Sequence, residues 1–332
     1  MRILSLDGGG YLGLATAAFL AETERHFGTS CHDQFDFFCG TSTGAIIALA
    51  LAMGKRAAEI CDLYRDLGVR VFNNSIPGMR AYRSLKSFVS SRYSDTALKL
   101  ALNSAFVEEM DGAARSVSLG DIQGKGKEIL VPTFCLTTGY PRIFKTDYGS
   151  LSSHNEYLAA DVALASASAP VYFPVARIAE PSTGAVEEFC DGGLFANNPA
   201  VMAFTDALHY MHQKPDDISI LSVSTPRVSL REYASSKGVL RHFLLRRGML
   251  LWSQTLLNVF IDSTSFVNDK TLEWLATGPR SLGFTYERFV MEKPPRAKLD
   301  NATQPITTDL MTLGRETAHS GDARRRLASF FV

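Results

Sequence analysis

Gly40-Thr41-Ser42-Thr43-Gly44 is the stretch from which the rest of the chain reads outward. Before it stands Asp36-Phe37-Phe38-Cys39, a short apolar run of strand type. After it, Ala45-Ile46-Ile47-Ala48-Leu49-Ala50-Leu51-Ala52 is apolar on nearly every side and predicts a buried helix. A serine at so sharp a strand-to-helix joint is a nucleophile elbow. Glycines on both sides remove Cβ atoms that would clash in the turn. The new helix offers unpaired N–H groups and a positive dipole end to a developing oxyanion.

The 332 residues suffice for one large α/β domain or two ordinary ones, and 46% hydrophobic content supplies the core. Lysine plus arginine balance aspartate plus glutamate at 34 each, so no strong field favours a nucleic acid polymer as partner. Cys31, Cys39, Cys61, Cys135 and Cys190 are odd in number and sit mostly in apolar surroundings. They fit reduced thiols better than a disulfide framework, and no CxxC spacing points to a metal. The start Met1-Arg2-Ile3-Leu4-Ser5-Leu6-Asp7 reaches an acid and three glycines before any signal-peptide core, and no run approaches about 18 apolar residues. A cytoplasmic protein is expected.

Outward from the elbow, strands are expected at 3–6, 36–39, 128–138 (with 143–146 beside it), 186–190 and 218–225. Helices are expected at 12–25, 45–52, 57–67, 96–106, 157–166 and 199–212. The segment 72–95 reads as a basic, aromatic surface excursion. This alternation implies a mostly parallel central sheet covered on both faces. From 230 onward the pattern is mainly helical, especially 239–260. The chain is therefore divided into an α/β unit, 1–225, and a helical extension, 226–332, acting as a cap, an activator-binding element or a dimerisation element.

Acyl transfer needs a nucleophile, a base and donors aimed at the oxyanion. Ser42 supplies the first. Gly8-Gly9-Gly10, directly after the first strand, can turn successive N–H groups toward one point. Asp191 follows a strand and precedes Gly192 and Gly193, a place where α/β sheets present functional groups. None of the seven histidines occupies a strand-end loop of the kind a triad needs. A carboxylate alone can serve as base if burial raises its basicity. Gly8-x-Gly10-x-x-Gly13 also fits a dinucleotide fingerprint, but the acid expected at the end of the second strand is missing, and that reading leaves Ser42 and Asp191 idle. A binding module that kept the fold and lost activity is the third alternative.

Four motifs occur in order within residues 1–225: Asp7-Gly8-Gly9-Gly10-Tyr11-Leu12-Gly13, the pentapeptide around Ser42, Ala165-Ser166-Ala167-Ser168-Ala169-Pro170-Val171-Tyr172-Phe173-Pro174, and Asp191-Gly192-Gly193 with Asn197-Asn198-Pro199. The set resembles the patatin-like phospholipase family. The resemblance implies a three-layer α/β/α fold and metal-free hydrolysis of lipid esters by a Ser42–Asp191 dyad. Gly8, Gly9 and Gly10 would form the oxyanion hole, with Gly40, Gly44, Gly192 and Gly193 supporting the motifs. Leu12 departs from the arginine or lysine common in the family.

Gly10-Tyr11-Leu12-Gly13-Leu14 and the helical C-terminal third are further similar to bacterial antiphage effectors of that family. That likeness implies a cyclic dinucleotide activator and attack on membrane phospholipids from the inner face of the cell membrane. Arg246 and Arg247, within the apolar stretch 239–260, are the candidate activator-binding residues. A stand-alone, unregulated lipase would share all four motifs. The same stretch also suits a homo-oligomer interface or a helix lying on a bilayer.

Overall fold

The computed structural model describes residues 1–72, 90–110, 112–149, 154–227, 249–294 and 296–331. Its strands are β1 (Arg2–Leu6), β2 (Phe37–Gly40), β3 (Val107–Met110), β4 (Ala113–Ser116), β5 (Glu128–Cys135), β6 (Tyr140–Lys145), β7 (Ala176–Ala179), β8 (Val186–Asp191), β9 (Ser219–Val223) and β10 (Thr285–Phe289). The helices are α1 (Gly13–Phe27), α2 (Cys31–Gln34), α3 (Thr43–Ala52), α4 (Ala57–Val71), α5 (Thr96–Ala105), α6 (Leu119–Gly124), α7 (Ala159–Ala167), α8 (Gly193–Ala196), α9 (Ala200–His209), α10 (Met249–Thr277), α11 (Gln304–His319) and α12 (Gly321–Leu327).

The main sheet runs in the order β10-β9-β1-β2-β5-β8-β7, with β6 also paired to β5. From β10 to β5 every neighbouring pair is parallel, whereas β6 and β8 run antiparallel to β5, and β7 antiparallel to β8. Side-chain alternation sorts the strands into two cores. Leu4, Leu6, Phe38, Leu221 and Val223 pack with α1, α3 and α7 on one face, while Ile3, Phe37, Cys39 and Ile220 pack with α9 and Leu272 of α10 on the other. This is the three-layer α/β/α arrangement, with a separate β3–β4 hairpin beside it. All five cysteines are free and buried.

The C-terminal third, expected to be mainly helical, also contributes a strand to the sheet. Residues 285–289 form β10, which adds a fifth parallel strand beyond β9. Its sequence, Thr-Tyr-Glu-Arg-Phe, carries no apolar run because it is an edge strand whose polar side chains are engaged. Glu287 pairs with Arg326, and Arg288 turns toward Asp7. The same third also supplies α11, packed so closely on α1 that a Cβ at Gly314 would lie 2.2 Å from the Ala15 carbonyl. Of the stretch 239–260, residues up to 248 lie outside the described residues, as do Arg246 and Arg247. Met249 onward belongs to α10.

Candidate active site

β5 brings the two candidate side chains, Ser42 and Asp191, together. Its residues Glu128 to Leu130 pair with β2, and Thr133 to Cys135 pair with β8. Because β2 is parallel to β5 and β8 antiparallel, the C-terminal ends of β2 and β8 approach each other over Val131 and Pro132, a separation of about 10 Å along the strand. Ser42 follows one end and Asp191 closes the other.

Ser42 caps the start of α3 with φ 55° and ψ −122°, a conformation strained for a non-glycine residue. Its N–H donates to Ser166 Oγ (2.9 Å), and Ser166 Oγ donates to the Pro132 carbonyl (2.8 Å), so α7 ties the elbow to β5. The turn closes because Gly44 lies against the end of β1, where a Cβ would sit 2.2 Å from the Leu6 carbonyl oxygen.

Asp191 is buried, and its Oδ1 accepts the Gly193 N–H at 2.7 Å. Burial pushes its carboxyl up to about 6, against the opposing pull of hydrogen bonds from Ser42 and the Gly193 backbone. A buried carboxylate that shares a pocket with a strained serine is an arrangement for removing the hydroxyl proton. Among the described residues no histidine lines this pocket. His154 is buried elsewhere against Phe144 and Tyr157, where burial lowers it to about 4. His242 lies outside the described residues.

The glycine loop divides. Gly8 is not available as an oxyanion donor, because its N–H is already given to the Asn197 carbonyl (3.2 Å). Gly9 and Gly10 line the pocket with Ser42 and Asp191, and their N–H groups have no hydrogen-bond acceptor among the described residues. Gly10 has φ +57°, and a Cβ there would lie 2.5 Å from the Leu299 carbonyl oxygen. Leu12 is buried in the core, so position 12 carries no cation to the site. Gly40 and Gly44 shape the elbow. A Cβ on Gly192 would lie 2.2 Å from the Pro132 carbonyl oxygen, and Gly193 supplies the N–H on Asp191.

Around this polar centre the pocket is apolar, with Phe72, Tyr172, Phe173, Leu194, Ile261 and Leu299 on its walls. Sequence reasoning assigned no role to Ser166, Asn197 or Thr225, although the first two stand inside quoted motifs. Asp7, which opens the glycine motif, is fully buried and ion-paired to Arg227 and Arg288. Among the described residues there is no group of three His, Cys, Asp or Glu placed to hold a metal, and no helix long and apolar enough to cross a membrane.

The family described as patatin-like phospholipase matches residues 4–204, which include both Ser42 and Asp191. The chain belongs to that family. A "cGAMP-activated phospholipase" of Vibrio cholerae serotype O1 (strain ATCC 39315 / El Tor Inaba N16961) is 30% identical over 357 residues, covering 100% of this chain and 94% of the relative. One of the same description from Pseudomonas aeruginosa (strain BWHPSA011 / Pa011) is 34% identical over 227 residues, covering 68% of this chain and 62% of its own length. A "cUMP-AMP-activated phospholipase" of Escherichia coli is 29% identical over 229 residues, covering 67% of this chain and 63% of that one. This patatin-like chain is thus an enzyme of the phospholipase type, and a nicotinamide oxidoreductase is set aside.

Proposed function

We propose that the chain hydrolyses the acyl esters of membrane phospholipids through a Ser42–Asp191 dyad and is switched on by a cyclic dinucleotide in antiphage defence. Ser42 Oγ attacks the ester carbonyl while Asp191 takes its proton. The N–H groups of Gly9 and Gly10 donate to the tetrahedral oxyanion. Collapse breaks the ester C–O bond, and the proton on Asp191 leaves with the lysophospholipid alcohol. Water then attacks the acyl-serine by the same route, with Asp191 again as base, releasing fatty acid and restoring Ser42. The observation that carries this reading is the buried Asp191 carboxyl lining one pocket with Ser42, Gly9 and Gly10.

Activation is supported by the relatives, two described as activated by cGAMP and one by cUMP-AMP. Residues 226–332 are the proposed seat of activator binding, with Arg246 and Arg247 as its cationic contacts, and attack is on the inner leaflet. Purified protein is tested for fatty-acid release from phospholipid vesicles with cGAMP, cUMP-AMP or neither. Release that needs one nucleotide and vanishes in Ser42→Ala is expected. Equal release without nucleotide identifies an unregulated lipase, and equal release by Ser42→Ala refutes the dyad. Unchanged nucleotide affinity in Arg246→Glu with Arg247→Glu removes those two arginines from the role.

A further inference from the structure

The glycine loop hangs from the distal part of the chain. Among the described residues, every hydrogen bond from residues 7–11 to another part of the fold reaches a residue between 197 and 307. The Asp7 N–H donates to Val223 O (3.1 Å), the Gly8 N–H to Asn197 O and the Tyr11 N–H to Leu299 O (2.8 Å). The Gly8 carbonyl accepts from Thr225 Oγ1 at 2.6 Å, and Tyr11 OH meets Thr307 Oγ1 at 2.9 Å.

At the stem of the loop, Asp7 is fully buried and holds two guanidinium groups. Arg288 on β10 donates to its Oδ1 at 3.1 Å and Oδ2 at 2.7 Å, Arg227 donates to Oδ2, and Ser265 Oγ on α10 lies 3.5 Å from the same oxygen. Two cations on one carboxylate exceed what neutralising Asp7 requires. Arg288 shares its excess with Asp269, 3.6 Å from its Nε. Arg227 has less compensation: its Nε is buried with no hydrogen-bond partner among the described residues, and burial lowers its pKa. A well-packed apolar cluster in this place would serve stability at least as well as a buried ionic one. Its position one residue from the oxyanion loop therefore suggests a role in geometry.

We propose that Arg227 and Arg288 are positioning residues. By gripping the Asp7 carboxylate from two elements, they fix the stem of the glycine loop and so the placement of the Gly9 and Gly10 N–H groups beside Ser42. The inference rests on the hydrolase reading above. It places control of the oxyanion donors in Arg227 and Arg288, both of which fall within 226–332, the stretch proposed to bind the activator. Oxyanion donors act only in the transition state, so a loosened loop lowers kcat and leaves KM in place.

The test uses the full chain, a fluorophosphonate that labels the reactive serine, and a soluble p-nitrophenyl ester assayed with and without cGAMP. Rates are divided by the fraction of serine that can be labelled, which removes losses due to misfolding alone. Arg227→Gln is expected to lower this corrected kcat at least about tenfold with KM within about twofold, and Arg227→Lys to restore part of it. A corrected kcat within about threefold of the parent, or a change confined to KM, overturns the proposal. Should Arg227→Gln not fold, Arg227→Lys and Arg288→Lys decide the question: each must lower corrected kcat at least about threefold, and parental values overturn the proposal. If the parent's Ser42 neither labels nor turns over ester, the hydrolase reading falls first, an outcome distinct from a labelled parent with indifferent arginine variants.

Discussion

Replacing Asp191 by asparagine should make the protein more stable and nearly inactive. The carboxyl is raised from 3.8 to about 6 by burial, a difference of about two pH units, or about 3 kcal/mol at roughly 1.4 kcal/mol for each. Below pH 3.8 it is protonated in both the folded and unfolded chain and contributes nothing to pH dependence. Between 3.8 and about 6 the unfolded chain gives up the proton while the folded one keeps it, so stability falls as pH rises. Above about 6 the whole penalty is present.

Asparagine is neutral throughout, and its Oδ1 can still accept the Gly193 N–H that Asp191 accepts at 2.7 Å. Asp191→Asn should therefore gain up to about 3 kcal/mol at pH 7.5, seen as a Tm higher by about 5 °C, with the gain disappearing near pH 4. Hydrolysis should fall by about 10²–10⁴-fold, the usual contribution of a positioned general base. Urea unfolding at pH 4, 5 and 7.5, beside fatty-acid release, measures both. A variant no more stable than the parent at pH 7.5, or a gain independent of pH, would refute the buried-base argument. So would retained activity.

Parental kcat/KM should rise with pH through an inflection near 6, where Asp191 ionises, and a flat profile from pH 5 to 8 would contradict its role as base. Ser166→Ala strands the Ser42 N–H and the Pro132 carbonyl together, so a loss of about 1–3 kcal/mol and a lower rate of serine labelling are expected; calorimetry and labelling kinetics check both. Gly10→Ala forces a side chain into φ +57° against the Leu299 carbonyl, and should abolish turnover while circular dichroism stays native. His154, lowered to about 4, lends stability that is complete above its ordinary 6.5 and is lost as pH falls toward 4, up to about 3 kcal/mol. His154→Phe should flatten that acid limb of the unfolding curve.

The elbow was legible because its chemistry is local: glycines, a serine and an all-apolar helix stand in one run of the sequence. The glycine loop was legible as a loop, but its division of labour was not. That the Gly8 N–H is taken depends on Asn197, nearly 200 residues away in the sequence, and the course of the chain after Gly10 depends on Leu299, nearly 300 away, whose carbonyl accepts the Tyr11 N–H; no local pattern encodes either pairing. β10 escaped notice for a related reason. Tyr286, Glu287 and Arg288 fit a strand only once Asp269, Arg326 and Asp7 are in place to receive their polar groups. The buried role of Asp7 was equally silent, since an acid before three glycines reads as loop chemistry until Arg227 and Arg288 arrive.

Asp191 was found from its motif, and in the proposed dyad the reason it can serve without histidine lies in the direction of β8. Had β8 been parallel to β5, residue 191 would have ended on the same side as the C-terminus of β5, away from the end of β2. Running antiparallel, it meets the elbow over Val131 and Pro132, where β5 pairs with neither β2 nor β8. N–H and C=O of a strand residue point to the same edge, so a proline at 132 lacks the very donor that this gap would have left unpaired. Its carbonyl is taken up by Ser166, which also holds the Ser42 N–H. The gap in the ladder is thus the place where a carboxylate can be buried beside a serine. Burial raises its basicity to about 6, and a base at that value is still roughly 90% ionised at pH 7. With Asp191 as the proposed base, an imidazole would add little there that the buried carboxylate would not supply.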